Sequence, residues 1–83
     1  MAMFNEPTHR VHRIKVPAGG MSNLITLPFG IHPDRGILSV YLNGMRLWED
    51  EHWSRVGPDM IQLDPSITLR EGDGIEFVWD VIW

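Results

Sequence analysis

The stretch "VYLNGMRLWEDEHW", residues 40–53, decides the reading of this 83-residue chain. Asn43-Gly44 stands between Val40-Tyr41-Leu42 and Met45-Arg46-Leu47. A type I′ turn needs positive φ at both central residues, and Asn and Gly tolerate it best. A two-residue hairpin turn at Asn43-Gly44 opposes Leu42 to Met45, Tyr41 to Arg46, Val40 to Leu47 and Ser39 to Trp48. Cross-strand partners share a face. Val40, Leu42, Met45 and Leu47 therefore form an apolar face, with Ser39, Tyr41, Arg46 and Trp48 on the other. Turn chemistry and hydrophobic alternation agree, which is stronger than either alone.

The rest of the chain extends this pattern. "HRVHRIKV" sets His12, Ile14 and Val16 against Val11, Arg13 and Lys15, as a strand does. "PAGG" is a turn or loop. "SNLITLPF" reads as a short strand that Pro28 ends or confines to a sheet edge. "WSRV" and "MIQL" are short strands around the turn "GPD". In "MIQL" either Met60 or Ile61 is buried, depending on register. "DPSITLREGDG" holds two turn clusters around a short "ITL" piece, with "EGDG" as a hairpin turn. "IEFVWDVIW" closes the chain, with Ile75, Phe77, Trp79 and Val81 alternating against Glu76, Val78 and Asp80. No window has a helical period over the length of an ordinary helix. The expectation is an all-β fold: a small antiparallel sandwich or barrel over 9–83, with an extended N-terminal arm over 1–8.

Composition narrows the function. A chain this short buries only about 60–65% of its unfolded surface, so disulfides, metals or neighbours usually assist it. There are no cysteines. That leaves oligomerisation, or less readily a metal held through histidine. The apolar stretches are far shorter than the roughly 20 residues of a membrane-crossing helix. "MAMFNEPTHR" lacks the basic start and apolar core of a signal peptide. A net charge of −4 argues against general nucleic-acid binding. The charge is uneven: residues 1–46 carry five Lys/Arg and two acids, and residues 47–83 carry two and nine. This asymmetry fits either intermixed surfaces of one domain or complementary patches that meet in neighbouring copies.

Few residues carry chemistry. His9 and His12 share H-x-x-H spacing, but on a strand they point to opposite sides and do not share a metal. His32 and His52 are isolated. Glu49-Asp50-Glu51 lacks the ligand spacing and glycine of a calcium loop. "EGDG" is acidic and precedes no helix, so it is no phosphate cradle. There is no nucleophile elbow and no H-E-x-x-H, and Asp50, Glu51, His52 and Ser54 are too close in sequence to build a triad. No enzyme activity, metal or cofactor is expected. Trp79 fits the core of the last strand, and Trp53 is a core or interface residue. Trp48, on the hairpin's second face near Tyr41 and Arg46, suits a partner interface, a second core layer or a sugar platform.

The order of these pieces resembles a module of tailed-bacteriophage virion proteins, notably tail fibres and small head and tail structural proteins. The resemblance rests on Val40-Tyr41-Leu42-Asn43-Gly44 with Leu47, then Trp53, then Ile61 and Leu63, then Gly72-Asp73 with Ile75 and Phe77. The chain departs from the pattern at His52-Trp53, where the module usually has aspartate-tyrosine, and in its final "DVIW" and basic N-terminal strand. The module usually sits inside a longer fibre. Its dominance here favours an adaptor, neck or capsid-decorating (cement) role over a receptor tip.

The resemblance implies a non-enzymatic structural protein, placed in the virion and assembled in the host bacterial cytoplasm. Its partners would be copies of itself, a trimer for instance, and other virion proteins, with no nucleic acid or membrane. The contact would set Trp48, Glu49, Asp50, Glu51 and Trp53, with Tyr41 and Arg46, against Arg10 and Arg13, while Met3 and Phe4 of the arm lie on a neighbour. Two rivals stand beside it. One is a carbohydrate- or receptor-binding module using Trp48 and Tyr41. The other is a host-directed protein that binds a cellular partner through an exposed edge strand.

Overall fold

The alternation of Ile75, Phe77 and Trp79 with Glu76, Val78 and Asp80 places one apolar row on the strand Gly74–Val81. The computed structural model, which describes residues 9–81, pairs that strand on both sides. The strands are β1 (His9–Lys15), β2 (Leu24–Thr26), β3 (Gly36–Leu42), β4 (Met45–Leu47), β5 (Trp53–Arg55), β6 (Met60–Leu63) and β7 (Gly74–Val81). They form two antiparallel sheets, β1-β7-β3-β4 and β2-β6-β5. No helix occurs among the described residues.

One core joins the two layers. The larger sheet contributes Leu38, Val40, Leu47, Ile75, Phe77 and Trp79, and the smaller contributes Ile25, Trp53, Ile61 and Leu63. Val16, Leu27, Ile31 and Leu69 close it from the loops. The fold is thus a small β-sandwich, as the alternation predicts. In "MIQL", Ile61 is the buried choice and Met60 is half-buried. β2 lies at a sheet edge, and Pro28 follows its end.

The hairpin forms in the expected register, Val40 opposite Leu47, Tyr41 opposite Arg46 and Leu42 opposite Met45. Asn43 and Gly44 have φ of 50° and 84°. Its apolar face is shorter than the pattern suggests, because Met45 is 63% exposed and Leu42 only half-buried. The facing sheet is built of strands three and four residues long, and the hairpin tip is left uncovered.

Two further expectations change. "ITL" (67–69) forms no strand. The Asn23 amide instead donates to the carbonyls of Asp64 and Ile67 at 3.1 and 3.0 Å, holding the segment as a loop. "EGDG" is not the turn of a hairpin either. Gly72 donates to the Val16 carbonyl (2.9 Å) and Val16 to the Asp73 carbonyl (2.8 Å), so the turn docks on the end of β1. The expected arm over residues 1–8, with Met3 and Phe4, lies outside the described residues, as do Ile82 and Trp83.

Gly36 shows how tightly the larger sheet is packed. A Cβ at this position would stand 2.6 Å from the Trp79 ring and 2.5 Å from the Asp80 carbonyl. Overpacking of this kind costs about 1–3 kcal/mol. Gly36→Ala is therefore expected to lower the thermal midpoint by more than 4 °C in a calorimetric scan; an unchanged midpoint would contradict the packing of Trp79 over Gly36.

Candidate interaction surface

Side-chain parity in the larger sheet assigns each candidate residue to a face. The register aligns Arg13, Glu76, Tyr41 and Arg46 in one row across all four strands. This row lies on the face away from the core, since Phe77 and Val40 occupy the other. The Arg13 guanidinium pairs with the Glu76 carboxylate at 3.0 Å. At the other end of the row, the Arg46 guanidinium stacks 4.5 Å from the Trp48 ring centroid and donates to the Ser39 hydroxyl at 3.4 Å. Trp48 remains 52% exposed. The structure therefore brings together Arg13, Tyr41, Arg46 and Trp48. Val11 and Ile37, also exposed on this face, escape notice in the sequence until the register of β1 and β3 against β7 is known.

Arg10 does not join them. It lies opposite Trp79, on the core-side parity of β1, although it is itself exposed. His12 shares that side and stacks on Phe77, with ring centroids 6.1 Å apart. His9 points the other way and pairs with Asp80 at 2.7 Å. The basic start and acidic end of the chain thus meet partly within the domain, through β1 and β7.

Trp53 is a core residue and leaves the interface set. It is 3% exposed, and its indole N–H donates to the Leu47 carbonyl at 3.1 Å. A buried indole needs an acceptor, and the end of β4 supplies one. Glu49 is only half available to a partner. Its carboxylate accepts from the Arg55 Nε at 3.2 Å, while Arg55 Nη1 donates to the Ile31 carbonyl at 2.7 Å and the guanidinium lies 5.6 Å from the Trp53 ring centroid. Arg55 has the same strand parity as buried Ile61, which is why its side chain is only 17% exposed. Nothing in the sequence marks it apart from the other arginines.

Asp50 and Glu51 occupy the exposed turn that joins β4 to β5. The Trp48 carbonyl accepts from the backbone N–H groups of Glu51 and His52 at 3.2 and 2.8 Å. The Trp48 N–H donates to His52 Nδ1 at 2.9 Å. Asp50 holds a φ of 70°, which Asp tolerates better than most residues. Asp50, His52, Ser54, Gln62 and Asp64 line an open depression beside this turn. Among the described residues no group of three or more His, Cys, Asp or Glu is placed to hold a metal ion. No helix among them is long and apolar enough to cross a membrane.

Asn43 has a second duty that its turn preference conceals. Its Oδ1 accepts from the Gly74 N–H at 2.8 Å, and its Nδ2 donates to the Asp73 carboxylate at 3.1 Å. The Arg70 N–H donates to the same carboxylate at 2.8 Å. Donation from the Arg70 backbone first, and from Asn43 second, holds the Asp73 carboxyl below its ordinary pKa. The Ser66 hydroxyl and backbone N–H do the same for Asp64.

No family model matches this chain, and neither a curated protein nor a solved structure matches it.

Two outcomes follow from the Asn43–Asp73 clamp. Asn43→Gly keeps a turn-compatible residue but loses both side-chain bonds, so its thermal midpoint should fall by several degrees; an unchanged midpoint would mean that the clamp contributes nothing. A carboxyl with a lowered folded pKa stabilises the fold above its unfolded pKa and loses that contribution as pH falls through the folded value. Wild-type stability should therefore decline as pH drops from about 4 downward. Asp73→Asn should show a shallower decline over that window in pH-dependent melts, and a parallel decline would contradict the assignment.

Proposed function

We propose that this chain is a non-enzymatic structural protein of a tailed-bacteriophage virion, of the tail-fibre, neck-adaptor or capsid-decorating kind, which assembles as an oligomer. The observation that carries the reading is Trp48, half-exposed at the β4 edge of the larger sheet, braced by Arg46 and followed by an acidic turn. Exposed tryptophan with arginine is the composition of an interface centre, and the surrounding charges supply the polar rim. The small core favours the same reading, since a domain of this size gains stability from neighbours. The module resemblance, from Ile25 to Trp79, supplies the virion setting. Arg10 and Arg13 on β1, and Met3 and Phe4 of the N-terminal segment, are the proposed counterpart on an adjoining subunit or virion protein.

A sugar platform is the second reading. It has less support because the Arg46 guanidinium covers one face of the Trp48 indole and leaves only the other for a sugar.

Trp48→Ala should leave the thermal midpoint within a few degrees of wild type, because the side chain is outside the core. The same change should lower the mass that light scattering reports after size exclusion. An unaltered oligomer would overturn the role of Trp48. Glycan binding by wild type that disappears in Trp48→Ala would instead favour the sugar reading.

A further inference from the structure

The basic side chains of β1 are not gathered on either face of its sheet. Arg13 and Lys15 turn outward, whereas Arg10 and His12 lie on the core-side parity. The surface they share is the free edge of the strand. β1 ends the order β1-β7-β3-β4, so only its β7 side is paired among the described residues. An edge strand keeps alternate backbone N–H and C=O groups open to another chain.

At the opposite edge the strand itself carries one charge, the basic Arg46 stacked on Trp48, and the acidic charge lies in the turn beyond it. There stands β4, three residues long, followed by Glu49, Asp50 and Glu51 in the turn to β5. Internal ion pairs already engage Arg13 with Glu76, His9 with Asp80, and Glu49 with Arg55. Arg10 and Lys15 at one edge, and Asp50 and Glu51 at the other, have no ion pair among the described residues. Like charge opposes pairing of β1 with another β1, and of the acidic turn with itself. The basic edge and the acidic turn are complementary.

Resting on the assembly reading above, we infer that β1 of one copy docks against β4 and the 48–51 turn of the next, so that the larger sheet continues from subunit to subunit. The contact is heterologous, since each copy presents two different surfaces at opposite edges. Repetition closes a ring or extends a filament, depending on the rotation between copies. β4 is too short to fix the register by backbone bonds alone. Arg10 and Lys15 against Asp50 and Glu51 fix it by charge.

Two variants of the full chain test this. Arg10→Glu/Lys15→Glu spoils the basic edge only. Asp50→Asn/Glu51→Gln neutralises the acidic edge only, so it offers no attraction to the reversed basic edge, and Asn keeps a residue suited to the left-handed φ at position 50. Circular-dichroism melts close to wild type show that each folds. Should the reversed basic edge fail to fold, Arg10→Gln/Lys15→Gln takes its place. Each variant alone should run as a single chain in light scattering at concentrations where wild type assembles. Mixed in equal amounts they should form a two-chain complex, because one intact basic edge then meets one intact acidic edge. Variants that assemble like wild type, or a mixture that stays monomeric, would overturn the edge contact and leave the assembly reading in place. Wild type that stays a single chain at every concentration would overturn both.

Discussion

The structure depends on the pairing of β7 with β3 on one side and β1 on the other. That double pairing buries Phe77 completely and Ile75 and Trp79 almost so. It also decides everything on the outside of the sheet. Once Phe77 faces inward, Glu76 must face outward, and Arg13, Tyr41 and Arg46 follow it into one row. A slip of β7 by one residue would turn Glu76 and Asp80 inward and Ile75, Phe77 and Trp79 outward, and burying those carboxylates would be prohibitive. The close fit of Trp79 over Gly36 helps to pin the register.

A second constraint joins the layers. The chain leaves the larger sheet at Leu47 and enters the smaller at Trp53, and the indole N–H of Trp53 reaches back to the Leu47 carbonyl. The intervening five residues are compressed into a turn around the Trp48 carbonyl, with Asp50 in a left-handed conformation. So short a link has no buried volume to offer its side chains. Trp48, Glu49, Asp50 and Glu51 are exposed for that reason, although the Glu49 carboxylate reaches Arg55, and only His52 is half-buried. The exposure of this edge is thus a consequence of how the sandwich closes.

Much of this was legible in the sequence because it is local. The hairpin at Asn43-Gly44, its register and the alternation of β7 all follow from short-range rules, and the structure has them. The placement of β1 beside β7 was not legible, since it joins residues 59 to 71 positions apart and no local rule specifies it. Arg10 and Arg13, read as one patch, point to opposite sides of the strand, as their spacing already implied by the rule that separates His9 from His12. The burial of Trp53 and Arg55 was ambiguous for a similar reason, because strand parity is known only once a partner strand is assigned. The Asn43–Asp73 clamp was hidden because a turn preference already accounted for Asn43.

The proposed contact brings copies of this chain together through oppositely charged ends of one sheet. Its most direct test is the light-scattering mass of wild-type protein over a range of concentration at two ionic strengths. At low salt the mass should exceed that of one chain and rise with concentration or settle at a closed oligomer. Raising ionic strength to about 1 M, where charges are screened beyond about 3 Å, should return it toward a single chain. An oligomer indifferent to salt, or a single chain under every condition, would contradict the claim.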